Sequence, residues 1–188
     1  MTRWWMLLRA SMTCGFVLVP ACEGAITERG QGLGVSGGEQ SQQLLAPARA
    51  GFEAVANAMQ PHCGTLDCHG QWGRNLRLFG GRGLRLHPKD NAAEGTTTPE
   101  EFDATYWSVV ALEPEILTAV VADHGVRSER LTLIRKARNY EKHKGGTCMV
   151  VNDSLDRCVS SWLVGSVEGE ACKIAADFNR PGAPPSQP

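Results

Sequence analysis

The sequence has no apolar run long enough to cross a membrane as a helix, and it has no excess of charge of one sign. The uncharged apolar stretch from Ala10 to Ala21 is about a dozen residues, whereas a helix that spans a bilayer needs roughly 20. Lysine and arginine total 19 and aspartate and glutamate total 20, for a formal net charge of -1. This balance gives no general electrostatic reason to bind nucleic acid.

Catalytic and nucleotide-binding signatures are also missing. The sequence shows no internal repeat and no glycine fingerprint of a nucleotide-binding loop. Asp123 and His124 are neighbours, but no nucleophile or third group can be placed beside them. Glu113 and Glu115 flank a proline at a helix start, where carboxylates stabilise the helix end. These features give no support for substrate turnover.

The first residues are typical of a cleavable export signal, with two arginines before the apolar stretch. The segment Leu18–Cys22 resembles the bacterial lipobox, in which a small residue precedes a cysteine that receives a lipid. We therefore expect residues 1–21 to be removed and Cys22 to become a lipidated N-terminus. The alternative is an ordinary signal cleaved after Ala21, with Cys22 left unlipidated.

The composition of the flanking segments limits the folded part of the chain. Residues 22–46 are rich in Gly, Ser and Gln and predict a flexible tether, because they cannot bury enough apolar surface to offset their ordering entropy. Residues 176–188 contain four prolines and predict a disordered tail. Residues 47–175 are then expected to form one domain of ordinary size.

Helical periodicity and helix-start signals dominate this domain and predict a mainly α fold. Apolar side chains recur every three or four residues over 47–59, and Pro61 is expected to end that helix. Helix starts are expected at Thr98, Glu113, Ser128 and either Asn152 or Asp153.

Two short segments, Leu76–Leu78 and Leu84–Leu86, alternate leucine with arginine on either side of a glycine cluster. This period of two predicts a short β-hairpin. An irregular glycine loop is the alternative, because an isolated pair of strands is marginally stable.

The segment most informative for chemistry is Cys63–Gly70, in which four residues separate two cysteines and a histidine follows the second. Cys-x-x-Cys-His is the usual signature of covalent haem c, in which both thiols form thioethers and the imidazole binds the iron. The spacer here is two residues longer, as in a minority of c-type haem sites. Two alternatives stay open: a Cys63–Cys68 disulfide with His69 on the surface, and a zinc site, although no second Cys/His pair of matching spacing is present.

A second block of residues strengthens the haem interpretation. Downstream of Gly73-Arg74-Asn75-Leu76-Arg77-Leu78-Phe79-Gly80 the chain carries Ser128, Leu131, Leu133, Lys136, His143-Lys144-Gly145-Gly146 and Trp162. In order and spacing, these blocks resemble the haem-binding region of planctomycete-type periplasmic cytochrome c-like domains. Those domains read Cys-x4-Cys-His-Gly, then Gly-Lys-Asn and a leucine pair, and later His-x-Gly-Gly before a helix that ends in Trp.

The resemblance implies a small cytochrome c-like helical domain that holds one covalent haem c and its iron. Cys63 and Cys68 would be the thioether positions, and His69 the proximal iron ligand. His143 becomes the leading candidate for the distal ligand, and Met149 is the alternative.

Seven cysteines are many for a reduced cytosolic protein and indicate an oxidising compartment. Disulfides are expected to form there. Cys148, Cys158 and Cys172 remain once the motif and the signal region are set aside. One disulfide is expected among them, and the sequence leaves Cys148–Cys158 and Cys158–Cys172 equally open.

These features predict an exported monohaem electron carrier or redox module on the periplasmic side of the bacterial envelope. Its partners would be redox proteins of the envelope, and the lipid would hold it on a membrane. The main alternative is a disulfide-stapled, non-catalytic envelope lipoprotein that acts as an interaction module. A haem sensor or peroxidase with five-coordinate iron is a further possibility.

Overall fold

The computed structural model describes residues 44–178, and within them the chain is mainly helical, as predicted. The signal segment, Cys22 and the end of the proline-rich tail lie outside the described residues. The α-helices are α1 (Phe52–Cys63), α2 (Pro99–Val110), α3 (Pro114–Ala122), α4 (Thr132–Ala137), α5 (Ser154–Leu163) and α6 (Gly169–Ala176). No helix within 44–178 is long and apolar enough to span a bilayer.

The helix starts with a polar cap lie where the sequence predicts them. At the start of α2, the Thr98 hydroxyl accepts from the Glu101 backbone N–H and the Glu101 carboxylate accepts from the Thr98 N–H, which is a complete capping box. At the start of α5, Asp153 accepts from the Asp156 N–H at 2.7 Å. The helix α3 begins with Pro114, as expected for a residue without a backbone donor.

The boundaries predicted for the first helix are wrong at both ends. The helix begins at Phe52 because Gly51 adopts a left-handed conformation, with φ of 81°, just before it. Pro61 lies inside α1 and does not end it, since a proline in the last turn removes only one backbone donor. The Gly64 N–H still bonds to the Gln60 carbonyl at 2.9 Å. Cys63 is therefore the last helical residue.

The helix predicted from Ser128 is split into two pieces. Ser128–Arg130 form a short 3₁₀ turn, and α4 starts only at Thr132. The new start is held by Glu113, whose carboxylate accepts from the Thr132 N–H at 2.6 Å and from its hydroxyl at 2.7 Å. The helix α6 is not among the predicted helices. Its short apolar pattern of Ala171, Cys172 and Ala175 is buried against α1 and α5.

The predicted β-hairpin is not formed, and the glycine-loop alternative describes this region. Phe79 and Leu84 form an isolated β-bridge around the loop, and the Gly80 N–H bonds to the Leu84 carbonyl at 2.7 Å. The Phe79 backbone cannot extend a strand because the Thr105 hydroxyl accepts from its N–H at 2.9 Å and also donates to its carbonyl.

The core is built around α1, which packs against α2, α5 and α6. Phe52, which is fully buried, lies with its ring centroid 4.9 Å from that of Trp162 and 5.3 Å from that of Tyr106. The polar atoms of both partners are satisfied: the Tyr106 hydroxyl donates to the Pro47 carbonyl and the Trp162 indole to the Ala48 carbonyl, each at 2.9 Å. This arrangement fixes the start of α1, at the opposite end of the helix from the cysteine motif.

A disulfide joins Cys158 in α5 to Cys172 in α6, which rules out the Cys148–Cys158 alternative. The bond closes a loop of 14 residues by sequence separation. Replacing both cysteines with alanine is expected to lower the free energy of unfolding by about 3 kcal/mol, because the unfolded chain regains loop entropy. Urea unfolding of the two proteins measures this loss, and identical midpoints would contradict it.

Candidate functional site

The cysteine motif forms a closed turn at the end of α1. The His69 N–H donates back to the Cys63 carbonyl at 2.8 Å, and the Cys68 N–H donates to the Thr65 carbonyl at 2.9 Å. The four-residue spacer therefore curls back on itself, and His69 returns to the helix end that carries Cys63. The longer spacer is accommodated by the hydrogen bonds of the turn itself.

Two glycines allow the rest of the chain to approach this turn closely. A Cβ atom on either Gly70 or Gly83 would collide with the carbonyl oxygen of Gly64. Gly83 also lies against Gly70, with its ideal Cβ position 3.2 Å from the Gly70 Cα. The glycine loop after the motif thus supports the turn from outside, a role that the sequence pattern did not reveal.

The side chain of Arg74 also binds the backbone of this turn. Its Nε donates to the Cys68 carbonyl at 3.0 Å, and its Nη2 lies 3.5 Å from the Asp67 carbonyl oxygen. The side chain thus spans the two backbone carbonyls immediately before His69. This contact was not predicted, because nothing in a sequence marks an arginine that binds main-chain oxygens.

The ring of His69 is oriented by a backbone carbonyl. Its Nδ1 lies 3.0 Å from the Leu76 carbonyl oxygen, and the Leu78 N–H donates to the His69 carbonyl at the same distance. A proton on Nδ1 leaves Nε2 with the lone pair that a metal needs. Burial lowers the pKa of His69, the bond to Leu76 opposes that shift, and charge on His143 and Arg74 lowers the pKa further. The neutral, ligating form is favoured.

His143 is oriented in the same way. Its Nδ1 lies 3.2 Å from the Gly146 carbonyl oxygen, and the Gly146 N–H donates to the His143 carbonyl at 3.0 Å. Gly146 has a φ of 72°, which a side chain would strain, and an ideal Cβ on Gly145 would come within 3.1 Å of the His143 ring. Gly145 and Gly146 therefore allow the backbone conformation of the loop that carries His143.

The fold brings these two histidines together from distant parts of the chain. The ring centroids of His69 and His143 are 6.0 Å apart, and their planes differ by 22°. An imidazole nitrogen binds a metal at about 2 Å and the ring centroid lies about 1 Å further out, so two imidazoles on opposite sides of one ion have centroids about 6 Å apart. The centroid separation of His69 and His143 equals this value.

The other predicted site residues lie in contrasting surroundings. Cys63 is buried and Cys68 half-buried, and since Cys68 is not in a disulfide, the structure contains no Cys63–Cys68 bond. Met149, the alternative distal ligand, is 2% exposed and belongs to the main hydrophobic core. Within 44–178, no group of three or more His, Cys, Asp or Glu side chains is arranged to hold a metal ion.

Two further histidines have contacts of their own. His62 stacks on Phe178 at a centroid distance of 4.3 Å, and its Nε2 lies 3.1 Å from the Ala175 carbonyl oxygen. His87 accepts a hydrogen bond from the Lys89 N–H at 3.2 Å through its Nδ1. Both rings are engaged in local contacts, and the fifth histidine, His124, is exposed in the turn after α3. His69 and His143 are the two histidines whose rings lie against each other.

Comparisons with protein-family models, with curated proteins and with solved structures found no match.

Proposed function

We propose that this chain is an exported c-type haem protein, with a cytochrome c-like fold, that carries one haem and transfers electrons. The observation that carries the proposal is the approach of His69 and His143 to 6.0 Å, with each Nδ1 beside a backbone carbonyl. Each ring keeps Nε2 for a metal, and the rings come from loops 74 residues apart in sequence. Ligation of one iron by both imidazoles would use this arrangement.

The donor set fits a covalently held haem. Cys63 and Cys68 would hold it by thioether bonds, and His69 and His143 would bind its iron. A bound haem supplies a one-electron redox change. The Leu76 and Gly146 carbonyls fix the orientation of the two imidazoles and raise their basicity, as acceptors behind metal-bound histidines generally do.

The position of the site suits electron exchange with other proteins. Cys68, His69 and His143 are half-buried, while Leu66 and Asp67 in the spacer are exposed. Electron transfer needs a rigidly held cofactor with one edge near the surface, and no acid or base. We therefore propose redox proteins of the bacterial envelope as partners, with the chain held on a membrane by a lipid on Cys22.

The experiment is expression of the full chain in a bacterial host that has the cytochrome c maturation system. We expect the matured protein in the membrane fraction, and a band that stains for haem after denaturing electrophoresis. The double variant Cys63→Ala/Cys68→Ala is expected to lose that band completely, because no thioether can form. Cys148→Ala, which removes a thiol outside the motif, is the matched control and should stain normally.

The same experiment tests the rival interpretation. A disulfide-stapled envelope lipoprotein would reach the membrane fraction without any haem stain. Its Cys63→Ala/Cys68→Ala variant would then differ from the parent only in stability. That outcome would replace the haem proposal with an interaction module.

A further inference from the structure

An open groove of about 640 Å³ lies between α2 and the extended segment that follows the cysteine motif. Its lining includes Asn75, Arg77, Phe79, Trp107 and Ser108. None of these residues belongs to the site of His69 and His143. Its volume is within the range of small-molecule sites, which is roughly 300 to 1,000 Å³.

Two regular patterns create the groove. In the extended segment, every second residue from Asn75 to Phe79 faces the groove, as the alternation of an extended chain requires. On α2 the lining residues are Ala104, Trp107 and Ser108, and Ala111 at the C-cap continues the same stripe of the helix face. The two walls are joined where the Arg77 N–H donates to the Ser108 hydroxyl at 2.8 Å.

The chemistry of the walls is unusual for a plain surface. Trp107 is 64% exposed, and the Tyr106 ring holds it edge-on at a centroid distance of 5.1 Å. Arg77 is half-buried, yet none of the ion pairs found within 44–178 includes its guanidinium. An exposed aromatic ring therefore shares the groove with a cation that has no carboxylate within ion-pair distance among the described residues.

We propose that this groove binds a planar aromatic molecule that carries an anionic or strongly accepting oxygen at its edge, such as an aromatic carboxylate or a quinone. The ring of the ligand stacks on Trp107, over a floor formed by the buried Phe79. The oxygen accepts from the Arg77 guanidinium, which favours a planar acceptor with charge. Asn75, exposed at the edge, adds a second polar group.

The groove lies directly behind the haem-binding region that we propose. Leu76, whose carbonyl orients His69, stands between the groove residues Asn75 and Arg77 in the same extended segment. A ligand in the groove is thus separated from His69 by one stretch of backbone. Binding there does not depend on haem attachment, so failure of one proposal leaves the other intact.

Isothermal titration calorimetry of the full matured chain tests the proposal with two probes. The first is 2-naphthoate, and the second is duroquinone, whose fully methylated ring does not add to cysteine thiols. We expect at least one to bind with a dissociation constant of about 1 mM or lower. Binding of naphthoate alone identifies a carboxylate site, and binding of duroquinone alone identifies a quinone site. Either result supports the shared chemistry.

The variants Trp107→Ala and Arg77→Gln are each expected to weaken binding at least about five-fold, since each removes one of the two main contacts. Tyr140→Ala and Arg82→Gln remove an exposed aromatic ring and an exposed arginine outside the groove, and should bind as the parent does. Circular dichroism checks that all four remain folded. No saturable heat from either probe up to about 10 mM, or unchanged affinity in both groove variants, would overturn the proposal.

Discussion

Replacing His143 with alanine is expected to leave the haem covalently attached but to abolish its six-coordinate, low-spin absorption spectrum. In the proposed haem protein, Cys63, Cys68 and His69 are unchanged in this variant, so attachment would survive. The iron would lose one of the two imidazoles proposed to bind it. Met149 cannot take the vacant position without leaving the core, where it is 2% exposed. Absorption spectra of the oxidised and reduced protein measure the change.

Two controls separate loss of a ligand from loss of the fold. Free imidazole added to the His143→Ala protein is expected to restore the low-spin spectrum, because it can occupy the opened position. Met149→Leu keeps the core filled with a side chain of similar size and should leave the spectrum unchanged. The reverse pattern, with loss in Met149→Leu and none in His143→Ala, would assign the distal position to Met149.

Replacing Glu101 with alanine is expected to lower the free energy of unfolding by about 3 to 5 kcal/mol, more than any other single change to a polar side chain that we consider. Glu101 is 1% exposed, and its carboxylate accepts from Arg85 Nε at 2.7 Å and from the Leu86 N–H at 3.0 Å. It also closes the capping box of α2 with Thr98. Alanine would leave the buried Arg85 without its main counter-ion. Urea unfolding measures the loss.

Asp90→Ala is the matched control for Glu101→Ala, because Asp90 also pairs with Arg85, at 3.4 Å, but its side chain is 40% exposed. An exposed pair contributes little, so we expect a loss of about 1 kcal/mol or less. Equal losses in the two variants would contradict the dominant role of Glu101.

The Glu101 contacts also predict how stability depends on pH. Burial alone would raise the pKa of Glu101, but the hydrogen bonds from Arg85, Thr98 and Leu86 outweigh it and lower the pKa. The stabilisation by Glu101 is therefore complete once the pH is above about 4.3, the ordinary pKa of glutamate in the unfolded chain. It is lost as the pH falls through the lower pKa that Glu101 has in the folded protein. Glu101→Ala should show a flatter loss of stability in acid than the parent.

The fold could be predicted where the signal is local. Thr98 and Asp153 cap their helices through side chains that lie within three residues of the bonds they make, so the sequence contains the whole interaction. The failures involve distant partners. The helix expected from Ser128 is divided because Glu113 binds Thr132, and the hairpin is lost because Thr105 takes the backbone groups of Phe79. Neither partner can be identified by periodicity.

The same distinction applies to the candidate site. The residue types and spacing of Cys63, Cys68 and His69 are visible in the sequence. His143 was predicted as a ligand only because short sequence blocks resemble those of a known family. The acceptors that orient the two rings could not be foreseen, because both are main-chain carbonyls, of Leu76 and Gly146. The groove beside Trp107 was missed for a related reason: it exists only where a helix stripe meets an alternating segment.

In the proposed haem protein, the sulfurs of Cys63 and Cys68 are bonded to one haem whose iron lies between His69 and His143. Mass spectrometry of the tryptic peptide Ala50–Arg74, taken from protein matured in the envelope, tests it most directly. We predict a peptide that carries the mass of one haem, with both cysteines modified. A peptide with the two sulfurs bonded to each other, or with both thiols unmodified, would contradict the account.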